Sequence, residues 1–181
     1  KRHGDRIEAR VHPAMIPSGS LLADVRYEYN AIEVVGEDFD TQVFYGKGAG
    51  RNPTATVVVS DVIDIAQRIE DGAPCSRVGE ILNNGDSPAL ITQNELSMRH
   101  YVRLEAEDRP GVLEDIAHVF SSQQISIASV VQKDGDEGGS VPLTIMTHEA
   151  TEVSLRVAID ELENLSIVRG KVQRIRVEEL S

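Results

Sequence analysis

Between Val102 and Val177 the apolar residues keep switching period, and the order of those switches narrows the possible folds more than any other feature of the chain. Val102, Leu104 and Ala106 alternate with Arg103 and Glu105, the two-residue repeat of a half-buried strand. After Asp108-Arg109-Pro110-Gly111, the residues Val112, Leu113, Ile116, Ala117 and Phe120 recur at helical spacing, with Glu114, Asp115, His118 and Ser121 opposite them. Ile125 to Gln132 is β-rich, and the glycine- and aspartate-rich stretch Asp134 to Gly139 turns it back into Val141, Leu143 and Ile145. Thr151 is placed to cap a second helix, in which Leu155, Ala158, Ile159, Leu162 and Leu165 share a face while Glu152, Arg156, Asp160 and Glu163 stay solvated. Finally Ile175 and Val177 alternate with Arg174 and Arg176. Strand, helix, strand, strand, helix, strand is the ferredoxin-like βαββαβ arrangement, with both helices on one face of one antiparallel sheet. The other face is left to solvent or to another body.

The front of the chain is organised differently. Arg6 to Val11, Ala31 to Gly36 and Gln42 to Tyr45 read as strands, joined by segments carrying Pro13, Pro17, Gly19 and Gly36. Asn52 is the expected N-cap of a helix with Pro53 at its first position, and Val58, Val59, Val62, Ile63, Ala66 and Ile69 give that helix a wide apolar face. Gly72 to Ser97, punctuated by Gly72, Pro74, Gly79, Gly85 and Pro88, reads as a connector with one short element around Val78 to Leu82. The expected fold class is therefore α+β: an incomplete α/β segment over 1–71, a linker over 72–97, and the βαββαβ unit over 98–181.

Composition removes several functions. The formal charge of -12, from 30 acidic and 18 basic residues, repels a phosphate backbone and leaves no basic stripe, so no nucleic-acid partner is expected. No apolar run is long enough to cross a bilayer, and Lys1 to Val11 is too charged for a secretory signal, so no membrane partner and a cytoplasmic location are expected. Cys75 is the one cysteine, and the five histidines, His3, His12, His100, His118 and His148, are scattered, so no metal site is expected. Ser18, Ser20 and Ser60 lack a positioned base, and no catalytic residue is assigned.

Two places could hold a ligand. Tyr45-Gly46-Lys47-Gly48-Ala49-Gly50-Arg51-Asn52-Pro53-Thr54 lies between an expected strand and an expected helix, where glycines admit a ligand to the backbone and helix amides favour an anion. It lacks the Gly-Lys-Ser/Thr ending of a P-loop, and Arg51 stands where a dinucleotide fingerprint has its third glycine, so a tight turn without ligand is the competing reading. At Asp108-Arg109-Pro110-Gly111-Val112-Leu113 the amides of Gly111, Val112 and Leu113 suit a carboxylate and Asp108 suits an ammonium. The competing reading is that Asp108 only caps the helix while Pro110 and Gly111 shape the turn.

At these motifs the chain resembles known families. Asp108-x-Pro110-Gly111-x-Leu113, within the βαββαβ order of Met98 to Ser181, looks like an ACT domain, an amino-acid-sensing module attached to many metabolic enzymes. Arg10-Val11-His12-Pro13-Ala14-Met15-Ile16-Pro17, Asn30-Ala31, and Tyr45 to Gly50 followed by Pro53-Thr54-Ala55 are similar to the later part of bacterial homoserine dehydrogenase. The joint resemblance spans nearly the whole chain. It implies NAD(P)-dependent interconversion of homoserine and aspartate semialdehyde in threonine and methionine biosynthesis, with threonine as feedback inhibitor. The family's dinucleotide fingerprint and its segment with the catalytic lysine and substrate-binding acids are absent here. The chain is thus expected to be a C-terminal piece, inactive and without cofactor by itself. By similarity, Gly48, Ala49, Gly50, Pro53 and Thr54 complete the cofactor side of the intact enzyme's site. Asp108, Gly111, Val112, Leu113 and Ser126 match effector-pocket positions, shared between the copies of a homodimer or higher homo-oligomer. Many ACT pockets have asparagine where Asp108 and Ser126 stand, and some have histidine at Ala106. A dimerisation module that senses nothing is the alternative.

Overall fold

The structure is a computed structural model that describes residues 1–72, 88–132 and 139–179. The chain opens with β1 (Arg2–His3), β2 (Arg6–Ile7) and β3 (Ala14–Met15), then continues through β4 (Tyr29–Gly36), β5 (Asp40–Lys47) and α1 (Arg51–Glu70). It goes on with β6 (Ala89–Leu90), β7 (Ser97–Glu107), α2 (Val112–Ser122), β8 (Ile127–Gln132), β9 (Ser140–Thr147), β10 (Ala150–Thr151), α3 (Glu152–Asn164) and β11 (Val168–Val177). Two compact units result: Lys1–Ile16 with Ala89–Glu179, and Pro17–Pro88 inserted between them in sequence.

The first unit is built on a sheet of order β3-β11-β7-β9-β8. Strand β7 pairs antiparallel with β9 and β11, and β8 pairs antiparallel with β9. The expected alternation sets the buried side: Val102, Leu104 and Ala106 of β7 meet Leu143 and Ile145 of β9. Val112, Ile116, Val119 and Phe120 of α2 and Leu155, Ala158 and Leu162 of α3 close over that same face as one core. Each fully buried Leu, Ile or Phe contributes about 1.5–3 kcal/mol of transfer free energy. Thr151 caps α3, its Oγ1 accepting from the Ser154 N–H at 3.1 Å. The α+β, ferredoxin-like arrangement read from the sequence is the one observed.

Several local expectations give way. Arg174 and Arg176, not Ile175 and Val177, point to the covered side of the sheet, because they sit opposite Val102 and His100 in register. Arg6 to Val11 does not form one strand; only Arg6–Ile7 pairs as a strand, with β1 on one side and β6 on the other. Within the expected linker, β6 adds to that small sheet, and Thr92 and Glu95 form a reciprocal cap around the 3-10 turn Gln93–Glu95. Leu96, which follows, is buried. Lys1–Ile16 groups with the C-terminal unit because β3 pairs parallel with β11, with the Glu178 N–H donating to the Met15 carbonyl at 2.8 Å. The element expected around Val78 to Leu82, Cys75, and the turn residues 133–138 lie outside the described residues.

The second unit is a hairpin and a helix. Strands β4 and β5 pair from Tyr29–Lys47 to Gly36–Asp40, and no residue of α1 is buried. Val57, Val58, Val62 and Ile63 of α1, and Ile32, Val35, Phe44 and Tyr45 of the hairpin, are all exposed. The helix begins earlier than expected: Gly50 is the N-cap, accepting the Thr54 N–H at 3.1 Å, and Asn52 is already helical. Gly50 has φ +130, which only glycine adopts without strain, and Pro53 is tolerated because first-turn amides need no intrahelical partner. No helix among the described residues is long and apolar enough to cross a membrane.

Candidate functional site

The strand-to-helix corner of the first unit takes its shape from three backbone features. The Asp108 N–H donates to the Gly139 carbonyl at 3.1 Å, which pins the end of β7 beside the start of β9. Gly111 caps α2 in the left-handed region with φ 91, where a Cβ would meet nothing within 4 Å, so glycine is required here by conformation and not by space. No side chain caps the helix. Asp108 is not the cap; its Oδ1 accepts from Gln132 Nε2 at 3.4 Å, turned toward the end of β8. Val112 faces the core, whereas Leu113 is 46% exposed.

Ser126 does not join this corner within one chain. It precedes β8, its carbonyl accepts the His148 N–H at 2.8 Å, and β8 runs in the direction of β7. The corner touches the far end of β8, six residues along at Gln132, or about 20 Å at strand rise. Asp108, Gly111, Val112 and Leu113 therefore cluster, and Ser126 stands at the opposite end of the sheet.

In the second unit, Ala49, Gly50 and Pro53 line an open cavity of about 500 Å³ together with Glu28, Lys47, Arg51 and Asn52. Gly48 is held by its N–H donating to the Glu28 carbonyl at 2.9 Å, and a Cβ there would fall 1.7 Å from Asn30 Nδ2. Thr54 backs the loop through the Gly50 carbonyl. Lys47 reaches Glu28 at 3.1 Å and lies 5.4 Å over the Tyr29 ring, which stacks on Tyr45. A backbone hydrogen bond and Lys47 hold the Glu28 carboxyl below its ordinary value. The sequence reading singled out the glycines here but assigned no role to Lys47 or Arg51, the two cations of the cavity.

A third grouping went unread. Glu152, expected on a solvated face, is 4% exposed. Its N–H donates to the Leu96 carbonyl at 3.1 Å, and its carboxylate accepts from Arg176 Nε at 2.6 Å and Nη2 at 2.9 Å, and from Arg174 Nη1 at 3.3 Å. Burial alone would raise the Glu152 carboxyl, but Arg176 and Arg174 outweigh it and hold it below its ordinary value. His100 lies fully buried 4.0 Å from the same carboxylate, with both ring nitrogens lacking a hydrogen-bond partner among the described residues. The signal in sequence was the pair of arginines two residues apart in β11, whose partner had to be acidic if they faced inward.

With this geometry in hand, the C-terminal unit defines a class. Residues 100–166 match the ACT domain family, which agrees with a sheet covered on one side by two helices and a glycine-turned corner after its first strand. Residues 1–63 match the family described as homoserine dehydrogenase. Homoserine dehydrogenase of Pseudomonas aeruginosa is 37% identical over the whole of this chain and 42% of its own length, and that of Neisseria gonorrhoeae is 33% identical over 99% and 42%. The crystal structure of a homoserine dehydrogenase from Thiobacillus denitrificans superposes with a TM-score of 0.83 at 36% identity, covering all of this chain and 41% of that one. The chain belongs to the homoserine dehydrogenase family, as its C-terminal region with an ACT domain. It spans about 42% of the length of the curated relatives it matches.

Proposed function

We propose that this chain is the regulatory C-terminal portion of an NAD(P)-dependent homoserine dehydrogenase, in which the ACT domain binds an amino-acid effector, threonine, at a dimer interface. The uncapped start of α2 beside Asp108 carries the reading. Helix amides without a side-chain cap receive a carboxylate, and Asp108, turned aside to Gln132, stands ready for an ammonium. Ser126 enters the same pocket from a second copy, which agrees with its place at the opposite end of the sheet. An effector changes activity only by its differential affinity for two arrangements of the subunits.

The cofactor side rests on the glycine loop. Ala49, Gly50 and Pro53 line a concave surface with Glu28, Lys47, Arg51 and Asn52, Gly48 and Thr54 are held beside it by backbone hydrogen bonds, and its two cations suit the phosphates of a nucleotide. A nicotinamide cofactor held by the intact enzyme would supply the hydride chemistry. This chain's own residues contribute the phosphate-facing cradle and hold the turn open. Because its residues include neither a dinucleotide fingerprint nor a catalytic lysine segment, this chain assayed alone is expected to turn over no homoserine.

Calorimetric titration with threonine tests the sensing reading. Saturable heat, abolished by Asp108→Ala with assembly intact, is expected. Flat traces at millimolar threonine leave the ACT unit as a dimerisation element only, and measurable hydride transfer by the chain alone overturns the account of its catalytic part.

A further inference from the structure

Between the Ala9–His12 stretch and β11 lies a cavity of about 240 Å³ whose walls are unlike the rest of this acidic chain. Arg10, Arg176, His12 and Gln93 form its polar side, and Val11 and Leu96 contribute to its apolar side. None of its described wall residues is acidic, although the chain carries 30 acidic and 18 basic residues. The parallel pairing that sets Ala14 opposite Arg176 brings the two sides together.

Both guanidinium groups are partly spent elsewhere, which fixes them in place. Arg176 gives Nε and Nη2 to Glu152; Arg10 gives Nη2 to Glu178 at 3.0 Å and to Glu8, and Nη1 to the Met98 sulfur at 3.3 Å. Among the described residues, Arg176 Nη1 and Arg10 Nε donate no hydrogen bond and the Gln93 side chain makes none. An anion entering here meets donors already oriented by other contacts, so little side-chain ordering remains to oppose binding. His12 reports the local field: burial, then Arg176 and Arg10, lower its pKa, against the opposing pull of Glu178 and Glu152.

We infer that this cavity binds a small organic carboxylate. The described wall carries two guanidinium groups and no carboxylate, which favours a carboxylate over an ammonium, and the apolar side disfavours a bare inorganic anion. The site lies apart from the Asp108 corner, since Arg176 pairs with His100 near the start of β7 while Asp108 follows its end. It stands whether or not threonine binds there.

The test is a titration of the isotopically labelled full chain with sodium butyrate at fixed ionic strength, followed by amide and imidazole resonances. Saturable shifts at Val11, His12, Ile91 and Leu96 with a Kd on the order of 1 mM are expected, together with a rise in the His12 titration midpoint. Ala9→Leu narrows the cavity without touching an ion pair and weakens butyrate about tenfold; if that variant unfolds, Gln93→Leu serves. The absence of saturable shifts, unchanged affinity in the folded variant, tighter binding of inorganic phosphate, or equal response of the same resonances to threonine each overturns the proposal.

Discussion

His100 and Glu152 share one pocket but respond to acid for different reasons. Burial holds the imidazole down to about 4, with Arg174 and Arg176 adding to the effect against the opposing pull of Glu152. Between that value and the ordinary histidine range the unfolded chain binds the extra proton, so stability falls as pH drops from about 6.5 toward 4. Glu152, held low in the fold, adds a loss in the same direction once pH falls below the ordinary carboxylate range. Urea midpoints measured across this window should therefore decline toward acid. His100→Leu removes two unpartnered nitrogens and should flatten the upper part of that decline without lowering the neutral midpoint. Glu152→Ala leaves two half-buried guanidinium groups without their counter-charge and should cost about 3 kcal/mol in the same assay. Little of this pocket was legible in advance. A helix wheel places Glu152 with the solvated residues, and only the end of the sheet, where Arg174 and Arg176 face inward, makes it a buried group. Gly111 was legible as part of the entry turn, because Pro-Gly precedes a periodic apolar run, yet its left-handed backbone was not, and which way Asp108 would turn depended on Gln132, 24 residues on.

Among the described residues, α1 and the β4–β5 hairpin expose broad apolar faces. Val58, Val62 and Ile69 make a helical stripe with no buried member. Solvent-exposed stripes of this kind recruit apolar dyes. Replacing Val58 and Val62 by glutamate should lower dye fluorescence and leave the urea midpoint of the other unit, Lys1–Ile16 with Ala89–Glu179, unchanged. Periodicity recovered the core strands and both helices of that unit because apolar residues at i, i+2 or at i, i+3, i+4 leave few alternatives. It failed at β1, β3, β6 and β10, each two residues long, and ran β2 on to Val11, because there pairing partners and not local pattern decide the conformation. The start of α1 was missed by two residues because Asn52 looked the better cap, while the backbone turn at Gly50 needed a glycine.

For the molecule as a whole, sensing and assembly should be linked. If threonine bridges two copies, it must tighten their association by the same factor by which association tightens threonine binding. Sedimentation at several protein concentrations, with and without threonine, should show the dimer constant strengthen, and Asp108→Ala should remove the shift while dimers persist. The seam of β3 with β11 carries a different consequence. Arg10 and Glu178, bonded across it, are 168 residues apart in sequence, with a whole second unit threaded between them. During synthesis Ala14–Met15 leaves the ribosome long before its partner strand exists, so this edge of the sheet stays open until Val177 has emerged. This sheet thus closes only after β11 has been made, and nascent chains stalled before β11 carry an open flank that a chaperone could grip.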